Sequence, residues 1–173
     1  PYKETDPTNP VSVYGRSKLQ GEIAALENSP STLIIRTAWV FSSYGNNFVK
    51  TMLRLKKERE SINVVNDQLG CPTYAADLAA ATMQIIASGK SKESPGIYHY
   101  SNTGITNWYA FAVAIRDLSG CNCVVNPIST AQYPTAAKRP AYSVLDTAKI
   151  RETFSISIPG WESGLERCLQ LIV

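Results

Sequence analysis

The chain has 173 residues, of which 44% are hydrophobic and 18% are charged, as expected for a globular protein of one domain, or one domain and part of another. The net charge of +3 is too small to indicate a nucleic-acid partner, and no apolar stretch approaches the roughly 20 residues that a membrane-spanning helix needs. The four cysteines form no Cys-x-x-Cys pair and there is one histidine, so the sequence indicates no metal site and fits the reducing cytoplasm.

Apolar periodicity and turn residues predict helices alternating with strands, which indicates an α/β protein. A helix over residues 11–28 is expected to bury the stripe Leu19, Ile23 and Leu26. Seven of the ten residues 32–41 are apolar, which predicts one continuous strand of a parallel sheet. The remaining predicted elements are a helix from Phe48, a strand over 62–65, a turn-rich stretch over 66–73, a helix over 75–87, a strand over 97–100, a helix over 107–118, a strand over 124–128, and helices over 146–154 and 161–171.

Tyr14 and Lys18 are the most informative pair in the first predicted helix. Two side chains four residues apart share one face of a helix. The positive charge of a lysine stabilises a phenolate, so such a pair suits a general acid or base that acts on a hydroxyl or carbonyl. The surrounding pattern P-x-x-x-Y-G-x-S-K, residues 10–18, resembles the active-site helix of the extended short-chain dehydrogenase/reductases, which act on nucleotide sugars.

Three further strings narrow this resemblance. They are residues 36–41 (RTAWVF) with 45–48 (GNNF), residues 67–73 (DQLGCPT) with 77–79 (DLA), and residues 139–145 (RPAYSVL). Together with the Tyr14 helix they are similar to the dTDP-4-dehydrorhamnose reductase family, along the whole chain. The resemblance implies reduction of the C4 keto group of dTDP-4-dehydro-L-rhamnose to dTDP-L-rhamnose, with NADPH or NADH, in the synthesis of cell-envelope polysaccharide. Some members of that family use Mg²⁺, but this sequence shows no site for it.

The resemblance also implies roles for three residues. Tyr14 matches the catalytic acid that protonates the C4 keto oxygen as the nicotinamide delivers hydride. Lys18 matches the lysine that binds the nicotinamide ribose hydroxyls and stabilises the phenolate. Trp39 matches a tryptophan that lines the sugar-nucleotide site, although a tryptophan after a buried strand is also compatible with a core residue.

The other candidate substrate contacts each have a structural alternative. Asn47, with Asn46 and Phe48 beside it, could bind sugar hydroxyls or diphosphate, or cap the following helix. Gln68 lies in a loop shaped by Gly and Pro, which could position the substrate or form a purely structural turn. Arg139 could pair with the diphosphate through its planar guanidinium, or form an exposed salt bridge. The single histidine, His99, lies in an apolar strand and is expected to be structural.

The family resemblance, together with the buried strand predicted over 33–40 and the helix–strand pair over 75–100, predicts the architecture. We expect the C-terminal part of a Rossmann-type parallel sheet, from residues 1–43 and 74–100, interleaved with a small α/β substrate-binding lobe from residues 44–73 and 101–173. None of the ten glycines forms the G-x-G or G-x-x-G spacing of a dinucleotide-binding turn. We therefore expect the C-terminal portion of a longer cytoplasmic, homo-oligomeric enzyme, itself inactive and prone to self-association.

The sequence leaves two other hypotheses of function open. Tyr14 and Lys18 alone do not separate a reductase from another nucleotide-sugar reductase, epimerase or dehydratase of the same family. A non-catalytic regulatory subunit can also be built on this fold. The D-Q-x-G-x-P-T and R-P-x-x-S strings favour the reductase, and retention of both Tyr14 and Lys18 weighs against the regulatory subunit.

Overall fold

The structure is a computed structural model that describes residues 1–135 and 139–172. Within these residues the α-helices are α1 (Val13–Asn28), α2 (Phe48–Glu58), α3 (Ala75–Ala87), α4 (Trp108–Leu118), α5 (Ala148–Phe154) and α6 (Trp161–Gln170). The strands are β1 (Leu33–Arg36), β2 (Val40–Phe41), β3 (Ser61–Val65), β4 (Leu69–Gly70), β5 (Thr73–Tyr74), β6 (Gly96–His99), β7 (Thr106–Asn107) and β8 (Val124–Ile128). None of the helices in the described ranges is both long and apolar enough to cross a membrane.

Over residues 1–135 and 139–172 the strands pair in four separate two-stranded units. Three are parallel, β1 with β6, β2 with β5 and β3 with β8, and each parallel pair is joined through intervening helices. The fourth pair, β4 with β7, is antiparallel. Parallel strands with helical crossovers confirm the predicted α/β class.

Helix α1 begins at Val13, two residues later than predicted, because Ser12 is its N-cap and accepts a hydrogen bond from the Gly15 amide at 3.1 Å. The predicted buried stripe of this helix is wrong. No residue of α1 is buried, and Ile23 is 46% exposed. A bidentate ion pair between Arg36 of β1 and Glu22 of α1 holds the helix against the strand instead.

The continuous strand predicted over residues 32–41 is also corrected, since the backbone leaves the extended conformation between β1 and β2. Trp39 has a φ of +51°, a left-handed conformation that costs energy for a bulky side chain. Fully buried Thr73 stabilises this turn, because its amide and hydroxyl donate to the carbonyls of Trp39 and Ala38 at 3.1 and 2.7 Å. Apolar composition predicts burial but carries no signal for such a break.

Two hydrophobic clusters form the core. The larger cluster packs α2, α4 and α6 around β3 and β8, and the smaller one packs α3 and α5 against β1 and β6. Ile150 and Phe154 of α5 thus lie with the β1–β6 layer, whereas the sequence analysis assigned them to the substrate lobe. The two-domain division stays a prediction, and residues 136–138 and 173 of its second part lie outside the described residues.

Candidate active site

A cavity of about 480 Å³ lies beside α2, β3 and the residues after β8. It brings together three of the predicted substrate contacts, Phe48, Gln68 and Arg139, from three different motif strings. Its apolar wall also includes Met52, Leu55, Ile62, Val64, Trp108 and Ile128. Polar groups line the rest, among them a second arginine, Arg59, and Asn63. Apolar walls with a few convergent polar groups are typical of small-molecule sites.

Gln68 is held in this cavity by contacts with the segment after β8. Its amide nitrogen donates to the hydroxyl of Thr130 at 3.0 Å. Asp67 accepts from both the amide and the hydroxyl of Thr130, and these hydrogen bonds lower the pKa of the Asp67 carboxyl. Asp67 therefore orients the loop that carries Gln68.

Trp39 lies next to the cavity lining, in contact with Trp108. Its indole stacks on Trp108, with ring centroids 3.7 Å apart and an interplanar angle of 12°. A methyl group at Gly70 would lie 2.5 Å from Trp39 Cε2 and 2.8 Å from Ser143 Oγ. The glycine is therefore required for the close approach of the indole. Strings 36–41, 67–73 and 139–145 thus approach one another around Gly70.

Asn47 adopts the structural alternative considered in the sequence analysis. It is the N-cap of α2, and its side-chain oxygen accepts from the Lys50 amide at 3.3 Å. Its amide nitrogen donates to the carbonyls of Ser42 and Tyr44 at 2.7 and 3.3 Å. These bonds occupy most of the hydrogen-bonding capacity of the side chain, and a contact of Asn47 with substrate stays a prediction.

Tyr14 and Lys18 share one face of α1, as their spacing requires. The Lys18 ammonium lies 5.4 Å from the centroid of the Tyr14 ring, and Tyr14 is 71% exposed. Among residues 1–135 and 139–172, no hydrogen bond or ring contact joins this pair to the cavity. The Tyr14 hydroxyl and the Lys18 ammonium both face solvent and are free to bind a ligand.

Two buried polar clusters elsewhere have structural roles. Asp77 accepts both guanidinium nitrogens of Arg167 at 2.7 and 2.8 Å and the amide of Asn102 at 2.7 Å, and this pairing raises the pKa of Arg167. His99 donates from Nδ1 to the Tyr2 carbonyl at 3.1 Å, and burial lowers the pKa of His99. The His99 assignment as structural agrees with this geometry.

Sequence reasoning missed Trp108 and Arg59 as cavity residues. Trp108 lies in the helix predicted over 107–118 and packs against Phe48, with ring centroids 4.7 Å apart. Arg59 closely follows the two lysines in the last turn of α2, and in a sequence such a basic run usually indicates a solvated helix face. No local pattern distinguishes these two residues, because the cavity forms from segments far apart in the chain.

Parallel strand pairs with helical crossovers define the class: this is an α/β chain, and the solved structures that it resembles have a Rossmann-like fold. The family described as RmlD substrate binding domain matches residues 1–173. The chain belongs to this family, which confirms the recognition made from the motifs.

Known relatives agree in sequence and in fold. The dTDP-4-dehydrorhamnose reductase of Sinorhizobium fredii is 47% identical over 174 residues, which cover 96% of this chain and 59% of the relative. The reductase of Aggregatibacter actinomycetemcomitans is 48% identical over 95% of this chain and 59% of the relative. The crystal structure of the Bacillus anthracis reductase, in complex with NADP, superposes with a TM-score of 0.90 at 41% identity, over 98% of this chain and 58% of that one. The chain thus spans about 59% of the length of the curated relatives it matches.

Proposed function

We propose that this chain supplies the substrate pocket and the proton donor of an NADPH- or NADH-dependent reductase. The reaction converts the C4 keto group of dTDP-4-dehydro-L-rhamnose to the hydroxyl of dTDP-L-rhamnose. One observation carries the proposal: the cavity gathers Phe48, Gln68 and Arg139 from three separate strings of the sequence. Relatives named for this reaction, at 47 and 48% identity, support the choice of substrate.

The cavity suits a nucleoside diphosphate sugar in size and in chemistry. Its volume of about 480 Å³ lies within the usual range for small-molecule sites. Arg139 and Arg59 present planar guanidinium groups, which bind phosphate oxygens in pairs. Phe48 and its apolar neighbours take the uncharged faces of the nucleoside. Gln68 donates one amide hydrogen to Thr130 and keeps the second for sugar or base oxygens, while Trp39 and Asn47 border the same region.

The residues present also fit a nicotinamide cofactor at α1. Neither the Tyr14 hydroxyl nor the Lys18 ammonium has a hydrogen-bonding partner among the described residues, so both are free for a ribose and a sugar. A bound nicotinamide supplies the hydride. Tyr14 gives its phenolic proton to the carbonyl oxygen and recovers a proton from solvent afterwards. Lys18 stabilises the phenolate by its charge and binds ribose hydroxyls. We place this enzyme in the cytoplasm, as a homo-oligomer.

Turnover of the full-length protein that contains this chain tests the proposal. We expect dTDP-4-dehydro-L-rhamnose to be consumed together with NADPH or NADH, in equal amounts. Arg139→Gln should raise KM more than it lowers kcat, while Arg151→Gln, on α5 and exposed, serves as the matched control. Epimerised or dehydrated sugar without net oxidation of the cofactor would favour another enzyme of the family. Ligand binding without any turnover would favour a regulatory subunit.

A further inference from the structure

We propose that Trp108 positions the ligand in the cavity, and that Trp39 and Gly70 set the plane of its indole from behind. Trp108 lines the cavity, whereas neither Trp39 nor Gly70 does. The inference rests on the proposed function, because it assumes that the cavity takes a nucleoside diphosphate. It gives Trp39 a supporting role behind Trp108, beside the substrate contact proposed for Trp39 itself.

The stacked pair of indoles, Trp39 and Trp108, is held on each side by a separate feature of the fold. Trp108 is the first residue of α4 and directly follows β7, and β7 pairs with β4, which ends at Gly70. This pairing sets Gly70 opposite Thr106, two residues before Trp108. The absence of a side chain at Gly70 then leaves the space that the Trp39 indole fills.

The backbone of Trp39 is held in a costly conformation that serves this stack. A left-handed φ of +51° is uncommon for tryptophan, and such strain persists only where the surroundings impose it. Thr73 imposes it through two hydrogen bonds to the turn. The string over 67–73 contains Gln68, Gly70 and Thr73. The loop that brings Gln68 to the cavity therefore also fixes the position of the Trp39 indole.

On the cavity side, Trp108 meets Phe48 with ring centroids 4.7 Å apart and tilted by 50°. Phe48 in turn stacks on buried Phe111, at 5.6 Å. The indole of Trp108 is therefore confined between Trp39 and Phe48, and a shift of Trp39 moves the cavity wall. Interiors packed this closely transmit such shifts rather than absorb them.

Binding of dTDP to the full-length protein, measured by calorimetry, tests the inference with four proteins. Trp108→Ala removes the indole that lines the cavity. Gly70→Ala adds a methyl group that pushes the Trp39 indole toward Trp108, although Gly70 itself does not line the cavity. Each should weaken dTDP binding by at least about tenfold. Gly21→Ala is the matched control, since a methyl group there meets no atom within 4 Å, and its affinity should not change.

The double variant separates action through Trp108 from general damage. If Gly70 acts through the stack, Gly70→Ala should weaken binding by less than about twofold once Trp108 is already Ala. Circular dichroism gives an independent readout, because two indoles stacked this closely couple their excited states. The paired bands should disappear in Trp108→Phe and in Gly70→Ala, and persist in Gly21→Ala. If Gly70→Ala does not fold, Trp39→Phe takes its place in both measurements.

The outcomes separate this inference from the proposed function. Additive effects of the two substitutions, or unchanged dTDP affinity after the paired bands are lost, would overturn the positioning role of the stack. Failure of the unaltered protein to bind dTDP would instead overturn the proposed function and, with it, the inference that rests on it.

Discussion

Tyr14 is an exposed residue whose side chain contributes little to the fold, so its proposed importance lies in its chemistry. Its ring is 71% exposed and meets only the Lys18 ammonium among the contacts of the described residues. The hydroxyl is free to donate a proton to a carbonyl oxygen. Chemistry and stability are therefore separable at this position.

Tyr14→Phe in the full-length protein should lower kcat by roughly 10²–10⁴, the usual contribution of one general acid. KM and the melting temperature should stay close to their original values, since no packing is lost. Tyr44→Phe is the control, because Tyr44 is 82% exposed and lies outside the cavity lining. Steady-state kinetics measure both, and near-normal turnover of Tyr14→Phe would remove Tyr14 from the mechanism.

His99 makes stability depend on pH in a direction that its burial dictates. Its pKa in the folded protein lies below 6.5, chiefly because burial disfavours the charged ring. The unfolded chain then binds the proton more readily, so stability is complete above pH 6.5 and falls as the pH drops from there toward the folded pKa. Below that pKa the contribution no longer changes.

Urea unfolding at a series of pH values below 6.5 checks this expectation. The sequence has one histidine, so His99→Gln removes every imidazole titration from the chain. The unaltered chain should lose more stability than His99→Gln over this interval. Equal losses in the two proteins would show that carboxylates alone cause the pH dependence.

At the scale of elements, hydrogen bonds between segments hold the turns and helices in place. Thr73 at the start of β5 stabilises the turn between β1 and β2. Asp77 of α3, Asn102 and Arg167 of α6 join three segments through one buried carboxylate. Both contacts connect the two hydrophobic clusters, so the relative placement of their elements depends on polar groups.

Thr73→Val should lower the free energy of unfolding by about 1–3 kcal/mol, because it leaves the Ala38 carbonyl without its donor next to a strained residue. Thr82→Val is the matched control. The Thr82 hydroxyl bonds only to the Leu78 carbonyl, one turn earlier in α3, so its loss should cost less than about 0.5 kcal/mol. Urea denaturation measures both variants, and equal costs would contradict the anchoring role of Thr73.

Asp77→Asn should cost about 1–3 kcal/mol, since a buried charged acceptor of three hydrogen bonds becomes a neutral amide. The exposure of Arg167, whose side chain is 44% accessible, keeps this figure below that of a fully buried pair. Asp117→Asn, in an ion pair with Arg116 on the surface, should change stability by less than about 1 kcal/mol. Similar losses for the two variants, again in urea, would argue against a special role for Asp77.

At the scale of the whole molecule, the β1–β6 layer is only partly covered. All four residues of β1 are half-buried, and Val13 and Ile23 of α1 are exposed. Among the residues that the structure describes, β1 pairs only with β6. Parallel strands are normally covered on both faces and paired at both edges. An uncovered face and an open edge favour association with another chain.

The 173-residue chain by itself should therefore dimerise or aggregate and show no measurable affinity for NADPH or NADH. Its sequence holds no glycine-rich turn at a helix N-terminus to receive a pyrophosphate. Light scattering over a concentration series, with calorimetry of both cofactors, tests the two parts. Micromolar cofactor binding by a monomer would show that the binding site lies within these residues after all.

Much of the fold and part of the site could be predicted from the sequence. Helix α3 has its predicted bounds, 75–87, because a residue pattern that repeats within one element needs no distant partner. The Tyr14–Lys18 pair was predictable for the same reason, since a spacing of four residues is local to a helix. The family, too, followed from short strings of defined spacing.

Only the tertiary structure decided which side chains meet. It broke the strand predicted over 32–41 at Trp39, because Thr73, a residue far along the chain, offers the turn its hydrogen bonds. In the tertiary structure Asn47 caps helix α2, and Trp108 lines the cavity. Composition and spacing determine what a segment can form, but contacts between distant segments depend on how the elements pack, and no local pattern encodes that packing.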